Sequence, residues 1–421
     1  MKYLTYRPPG YVDGDNNTRH SHKQLSSGGV LARAASRDLL AFRLRAWQTL
    51  PVLIGLFPEL DAPGGVQRAG RHLAAVLSDF AASRGMECRL LSLNDTPELH
   101  RMTVGGREIV FTGCDREKGR FTATAVRAAR RKAKLVIAAH PNLAPITQAM
   151  RIAAPRLKTI VCTHGIEVWE PLSGLRRRAL RHANVVLAPS HSTAEHVIQQ
   201  QKVPAERVRV LPWALDPQFE SLLAAPTQAA VPKQFPDGRM VLSVGRLLAS
   251  ERYKGMDTLI TALPRLLTRW PELHAVIAGT GDDRPWLEEL AEKNGVNRHV
   301  HFLSGLSYPE LAACYNACEI FALPSSGEGF GLVYLEAMAC GKPVIGGAHG
   351  GAPEVIEDGV TGYLVQHGDA QQLATSIETL LSDPALAKEM GMRGRQRVKN
   401  EFHFSVFSKA LKKIIREQCE S

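Results

Sequence analysis

The chain is poor in aromatic residues, which make up 6% of its 421 positions, and it lacks any long apolar run. No stretch approaches the roughly 18 consecutive apolar residues of a membrane-spanning helix, so none is expected. Residues 1–27 are polar and contain no apolar core, so they lack a signal-peptide pattern and no secretory leader is expected. Cysteine is sparse and odd in number: the seven, at 88, 114, 162, 314, 318, 340 and 419, lie mostly in apolar stretches. Cys314 and Cys318 are spaced as helix neighbours and not as a metal or redox pair, so a reduced, cytoplasmic protein without disulfides or zinc is expected. Acidic residues are scarce in one half only. Residues 1–215 hold 32 Lys and Arg against 16 Asp and Glu, the remainder 20 against 25, for a net charge of +11. The basic excess gathers at Arg127–Lys134 and Arg176–Arg181. These are either ordinary solvated helix faces or a surface for something anionic, such as the inner face of the plasma membrane or a phosphorylated lipid carrier. Without a binding motif or interleaved aromatics, nucleic acid is not an expected partner.

What is present is a 44% hydrophobic content and enough length for two cores. Residues 1–48 form an N-terminal extension. Residues 6–29 show no hydrophobic period and read as largely disordered, and residues 31–50 as a short helix of mixed Leu, Phe and Arg. A regular alternation follows: a strand over 51–57, the Gly64-Gly65 turn, an amphipathic helix over 66–83, and apolar runs at 135–139, 159–163 and 185–188. Their spacing, at roughly 20–30 residues with helical stretches between, predicts a parallel sheet. Leu211–Pro217 closes this domain (49–215), and the Pro-, Ala- and Gln-containing stretch 216–238 reads as a hinge. A second alternation (216–400) begins at Met240–Val244 and continues through runs at 273–278, 300–303, 319–323, 343–345 and 363–365. The expected class is α/β: two doubly wound, Rossmann-like domains facing one another across a cleft, with an amphipathic segment over 401–421.

Chemistry concentrates where strands end. In Glu328-Gly-Phe-Gly-Leu-Val-Tyr-Leu-Glu336 two carboxylates flank a Gly-rich turn that opens a helix, with Gly341 as its C-terminal stop. Open α/β sheets bind ligands at such strand ends. Free amides at the helix start suit a phosphate, and carboxylates on either side suit sugar hydroxyls. After Met240–Val244 come Gly245-Arg246 and Lys254-Gly255, a guanidinium and an ammonium able to stabilise a departing diphosphate. Gly64-Gly65 allows backbone amides to approach an anion, although a plain tight turn would look the same. His164, at the end of Thr159–Thr163, could stabilise developing charge; Glu167 lies within reach of an incoming hydroxyl, and His140 occupies the comparable place on the preceding strand. Glu354, behind Gly350-Gly351 and Pro353, reads as a loop cap. Gly279-Thr-Gly281 has Arg284 where a dinucleotide fingerprint needs its third glycine, which counts against a dehydrogenase.

Together these motifs, in order and spacing over residues 50–418, resemble the family-4 glycosyltransferases of GT-B architecture. The resemblance implies a retaining hexosyltransferase, of mannose or another hexose, in cell-surface polysaccharide or glycolipid synthesis. A nucleoside-diphosphate sugar would bind the C-terminal domain and a saccharide or lipid-linked acceptor the N-terminal one, with no metal and no cofactor. It places Arg246 and Lys254 on the diphosphate, Glu336 on the ribose, and Glu328 with the amides of Phe330, Gly331 and Leu332 at the donor sugar. Gly64 and Gly65 would approach from the other domain, His164 would lie beside the sugar, and the C-terminal helix would cross back onto the N-terminal domain. The Arg246-to-Lys254 interval is longer than the commonest family form. An epimerase or phosphorylase of the same fold, or a non-catalytic sugar-nucleotide binder, are the alternatives.

Overall fold

The computed structural model describes residues 50–224 and 231–420, so the expectations for residues 1–48 lie outside the described residues, as does part of the hinge segment. Two sheets organise what is described. The first has the order β3-β4-β2-β1-β5-β6-β7-β8, the second β11-β10-β9-β12-β13-β14. In the first sheet β1 is Val52–Phe57, β2 Glu87–Ser92, β3 Leu99–Val104, β4 Arg107–Gly113, β5 Ala133–Ala138, β6 Lys158–Cys162, β7 Val185–Ala188 and β8 Val208–Val210. In the second, β9 is Arg239–Val244, β10 Leu273–Ala278, β11 Val300–Leu303, β12 Ile320–Leu323, β13 Val344–Gly347 and β14 Gly362–Val365. All described pairings are parallel except β3 with β4.

The central strands are buried on both faces, which is why they read as unbroken apolar runs: every residue of β1, Val-Leu-Ile-Gly-Leu-Phe, is buried. At one edge the chemistry differs. β3 alternates exposed with half-buried side chains and turns into β4 at Gly105-Gly106, whose φ values of 56° and 76° suit a two-residue hairpin turn.

The strand orders fix where a ligand can sit. In the first sheet the chain leaves β1 for β2 on one side and returns to β5 on the other; in the second, β9 and β12 are the neighbours across the reversal. Crevices open at the carboxyl ends of such pairs. The loops after β1, β5 and β6 carry Gly64-Gly65, His140 and His164. Those after β9 and β12 carry Arg246, Lys254 and Glu328. Sheet order therefore gathers residues far apart in sequence at two facing switch points.

The C-terminal segment binds the lobes together. Helix Pro384–Glu401 packs on Leu332–Ala339 in the second lobe. The backbone then turns through Phe402, whose carbonyl accepts from Leu215 N–H at 2.8 Å. Helix Phe404–Glu420 crosses onto helix Gly65–Ser83 and β5, burying Phe407, Leu411 and Ile415 at four-residue intervals along one face. Lys412 and Arg107 both pair with Asp79 at that contact. This is the return to the N-terminal domain that the family resemblance implied.

Candidate active site at the interlobe cleft

Helix Gly65–Ser83 begins at Gly64, whose φ of 137° only glycine adopts easily, and no side chain caps it. Helix Leu332–Ala339 begins at Gly331, φ 98°, and is likewise uncapped by any side chain. The two starts face each other: a Cβ added to Gly65 would lie 3.8 Å from Leu332 Cδ1. Each helix therefore presents unsatisfied N–H groups and a positive dipole end to the same space, an arrangement suited to an anion. Phe330 beneath this turn is buried against Phe402, with ring centroids 5.7 Å apart.

Lys254 Nζ donates to Glu328 Oε1 at 2.8 Å, and each side chain is only 14% exposed. Burial alone would lower the lysine pKa; the Glu328 charge and hydrogen bond, with Tyr253 and Glu251 nearby, outweigh it and hold the ammonium above its usual range. Arg246 does not join this pair. Its guanidinium is 69% exposed and pairs with the buried Glu251. Lys254 Nζ also lies 5.3 Å from the centre of the Tyr253 ring. Glu336 is buried. Its Oε1 accepts from Arg68 and, at 3.2 Å, from the Tyr308 hydroxyl, and its Oε2 accepts from Tyr315 at 2.9 Å.

From the first lobe, the His164 ring lies between His140 and Trp213, with centroids 5.7 and 5.3 Å away. Its Nε2 donates to the Ala139 carbonyl at 2.7 Å, which fixes the tautomer and leaves Nδ1 as the acceptor of the neutral ring. Its backbone N–H donates to Glu167 Oε1 at 2.6 Å, so that carboxylate is tied to the turn it follows. Burial, with His164 and Arg176 close by, pushes the His140 imidazole down to about 3. Its Nδ1 accepts from Asn142 N–H at 3.1 Å.

The lobes meet directly. The Ser190 hydroxyl donates to the Gly329 carbonyl at 2.7 Å. Glu354 accepts from His191 and Ser192 N–H at 2.8 and 3.0 Å, and so caps helix His191–Gln199 of the opposite lobe. Sequence reasoning foresaw a cap there, without its partner. Arg68, Tyr308, Tyr315 and Trp213 were not foreseen. Only Arg68 carried a signal, a charge one turn beyond the Gly64-Gly65 start. Among the described residues no cluster of three or more His, Cys, Asp or Glu could hold a metal ion, and all seven cysteines are unbonded.

Two facing Rossmann-like lobes with an anion-suited cleft define the GT-B class of sugar transferase, and solved structures agree on the fold. Sucrose-phosphate synthase from Thermosynechococcus elongatus superposes with a TM-score of 0.70 at 22% identity, covering 87% of this chain and 98% of that one. Anabaena HepE, solved with UDP and glucose, gives 0.66 at 21%, covering 87% and 100%. Two sequence-family models also match, "Glycosyltransferase Family 4" over residues 63–219 and "Glycosyl transferases group 1" over 226–397. The chain is 35% identical over 261 residues to a GDP-mannose-dependent α-(1-6)-phosphatidylinositol monomannoside mannosyltransferase of Mycolicibacterium smegmatis, covering 59% of this chain and 66% of that protein. A Corynebacterium glutamicum enzyme, named for the monoacylated form of that acceptor, is 31% identical over 274 residues, covering 62% and 70%. The chain belongs to the group 1, family 4 glycosyltransferases and transfers a hexose from a nucleotide sugar.

Proposed function

We propose that the protein transfers mannose from GDP-mannose, with retention and without a metal, to a hydroxyl of a lipid-linked acceptor at an anionic membrane surface. One observation carries the site assignment: the Lys254–Glu328 pair lies in the loops flanking the β9/β12 switch point, in the half of the molecule where two uncapped helix starts meet. A diphosphate between those starts would meet amide dipoles from both lobes, and Lys254 and Arg246 would offset the charge it gains on leaving. Glu336 would hold the ribose, and Glu328 the sugar hydroxyls beside the amides of Phe330, Gly331 and Leu332. His164 would lie beside the sugar, with His140 and Glu167 toward the acceptor.

In the step itself the C1–O bond to the diphosphate breaks while the acceptor oxygen bonds to C1 on the same face. The acceptor proton passes to a phosphate oxygen of the leaving group, which retains configuration with no protein nucleophile. Mannose and the GDP base rest on the similar mannosyltransferases.

The membrane surface is supported by two adjoining helices, Ala144–Ala153 and Gly174–Arg181, joined where Arg151 donates to the His182 carbonyl at 2.9 Å. They expose Ile152 (85%) and Leu175 (71%) among Arg151, Arg176, Arg178 and Arg181. No helix of the described residues is long and apolar enough to cross a membrane.

Purified protein given radiolabelled GDP-mannose and anionic phospholipid vesicles containing mannosylated phosphatidylinositol should form an α-linked product, unaffected by EDTA. Glu328→Ala and Lys254→Ala should each lower turnover by about 10²-fold or more. Undiminished turnover in both variants would remove the site assignment, and a β-linked product would remove retention.

A further inference from the structure

Glu336 has a full set of partners before any ligand arrives. Tyr315 is fully buried and fixed on Oε2 by its hydroxyl. Tyr308 reaches Oε1 from the same lobe. Arg68 is the partner that crosses the cleft, from one turn inside helix Gly65–Ser83. It donates to Glu336 and, at 3.1 Å, to the Tyr308 hydroxyl, with its guanidinium 5.5 Å from the centre of the Tyr308 ring. The pair is shielded from water, at 15% side-chain exposure for Arg68 and 2% for Glu336. A carboxylate offers about four acceptor positions, and here three donors already share them in an enclosed site. A ribose diol would bring two more. The tyrosines belong to the lobe that carries Glu336, so the partner that can withdraw is Arg68.

We propose that Arg68 is an internal stand-in for the donor's ribose: it neutralises Glu336 while the cleft is empty and must be expelled for the nucleotide to seat. The inference rests on Glu336 being the ribose ligand. Binding then exchanges one charge-assisted partner of a buried carboxylate for another, so the ribose hydroxyls gain less than they would against an unpaired Glu336. Arg68 thereby tempers donor affinity and couples nucleotide binding to release of a cross-cleft tie.

Calorimetric titration of GDP and 2′,3′-dideoxy-GDP into the full-length protein tests both layers. In Arg68→Met, GDP should bind more tightly, and the preference for the ribo form should grow by about tenfold. Arg68→Gln, which keeps a neutral hydrogen-bond donor, should fall between Arg68→Met and the wild type. A merely structural role for Arg68 would move both ligands together and leave their ratio unchanged, which would overturn the proposal. Glu336→Gln separates the two possible failures. If it leaves the ribo/dideoxy ratio as in the wild type, the ribose assignment itself is wrong. If it flattens the ratio while neither Arg68 variant raises it, the ribose assignment stands and the stand-in alone is refuted.

Discussion

The backbone of Gly329 packs directly against that of His164 and Gly165 in the opposite lobe, and Gly329→Ala tests whether that contact is needed for turnover. The residue lies outside the left-handed region, so alanine fits its backbone without strain. Space is the obstacle. A Cβ there would overlap the His164 carbonyl oxygen and stand 2.5 Å from the Gly165 Cα, with backbone on the far side of both contacts. Carbon atoms in comfortable contact sit about 3.5–4.0 Å apart, so the shortfall is about 1 Å or a little more. No flexible side chain can absorb it, so the lobes must part by a similar amount at this point. Such an opening carries Glu328 and the Leu332–Ala339 start away from His164 and Gly65, and a misplacement of about 1 Å can cost on the order of 10² in rate. The expected result is a loss of kcat of about that size with the melting temperature held, because neither lobe's core is touched. Initial rates across donor concentrations, paired with thermal unfolding and small-angle scattering for a slight expansion, give the measurement. Wild-type kcat in a folded Gly329→Ala would show that this contact plays no part in the reactive geometry.

Three further outcomes follow from burial. Neither ring nitrogen of His72 has a hydrogen-bond partner among the described residues, and the ring packs against Phe404 and Phe407. His72→Leu should therefore raise stability by about 1–2 kcal/mol, read as the urea midpoint at pH 7. Burial, reinforced by Arg68 and Arg71 against the opposing pull of Asp216, holds His72 at about 4, and burial holds His140 at about 3. Between those values and about 6.5 the unfolded chain binds the extra protons, so the stability from these groups is complete above about 6.5 and drains as pH falls. The urea midpoint should thus drop more steeply below pH 6 in the wild type than in His72→Leu; parallel slopes would contradict it. Leu411→Ala, in the helix that returns to the first lobe, should cost about 2–5 kcal/mol and speed proteolysis beyond Phe402. An unshifted urea midpoint would mean the helix is not held there.

What the sequence disclosed followed the physics of burial. Strands covered on both faces, such as β1 and the buried stretches of β5 and β9, must be largely apolar and announce themselves. β2 opens Glu87-Cys-Arg, and β3 and β4 alternate along an exposed edge, so an apolar-run criterion passes over all three. A signal was there in Gly105-Gly106 between two alternating stretches, the composition a tight hairpin needs. β8 is three residues long and too short for any period to show. In the candidate site, Glu328, Lys254, Arg246 and the paired glycines were legible because each ends a strand or starts a helix. Tyr308, Tyr315 and Trp213 lie in ordinary apolar or helical settings, and only tertiary packing brings them to the carboxylate or the imidazole.

The pairings in the cleft share one electrostatic requirement. A carboxylate or ammonium removed from water without a partner costs several kcal/mol, so an enclosed site that must later bind a charged ligand cannot wait with bare charges. Here Lys254 is matched by Glu328, Arg246 by Glu251, Glu336 by Arg68, and Glu354 by the helix start at His191. Lys254–Glu328 and Arg246–Glu251 lie within the second lobe and hold the loops that follow β9 and β12. Arg68–Glu336 and the Glu354 cap span the cleft, so they exist only while it is closed. Opening must therefore supply water to those groups, and a ligand that replaces one cross-cleft tie alters the balance between open and closed forms by the difference in what it offers. On the proposed site assignment a nucleoside diphosphate, bringing both hydroxyls and negative charge, would substitute at the Glu336 carboxylate and at the uncapped helix starts together. A neutral sugar would not, so on that assignment the nucleotide portion of the donor is the part to which closure would respond.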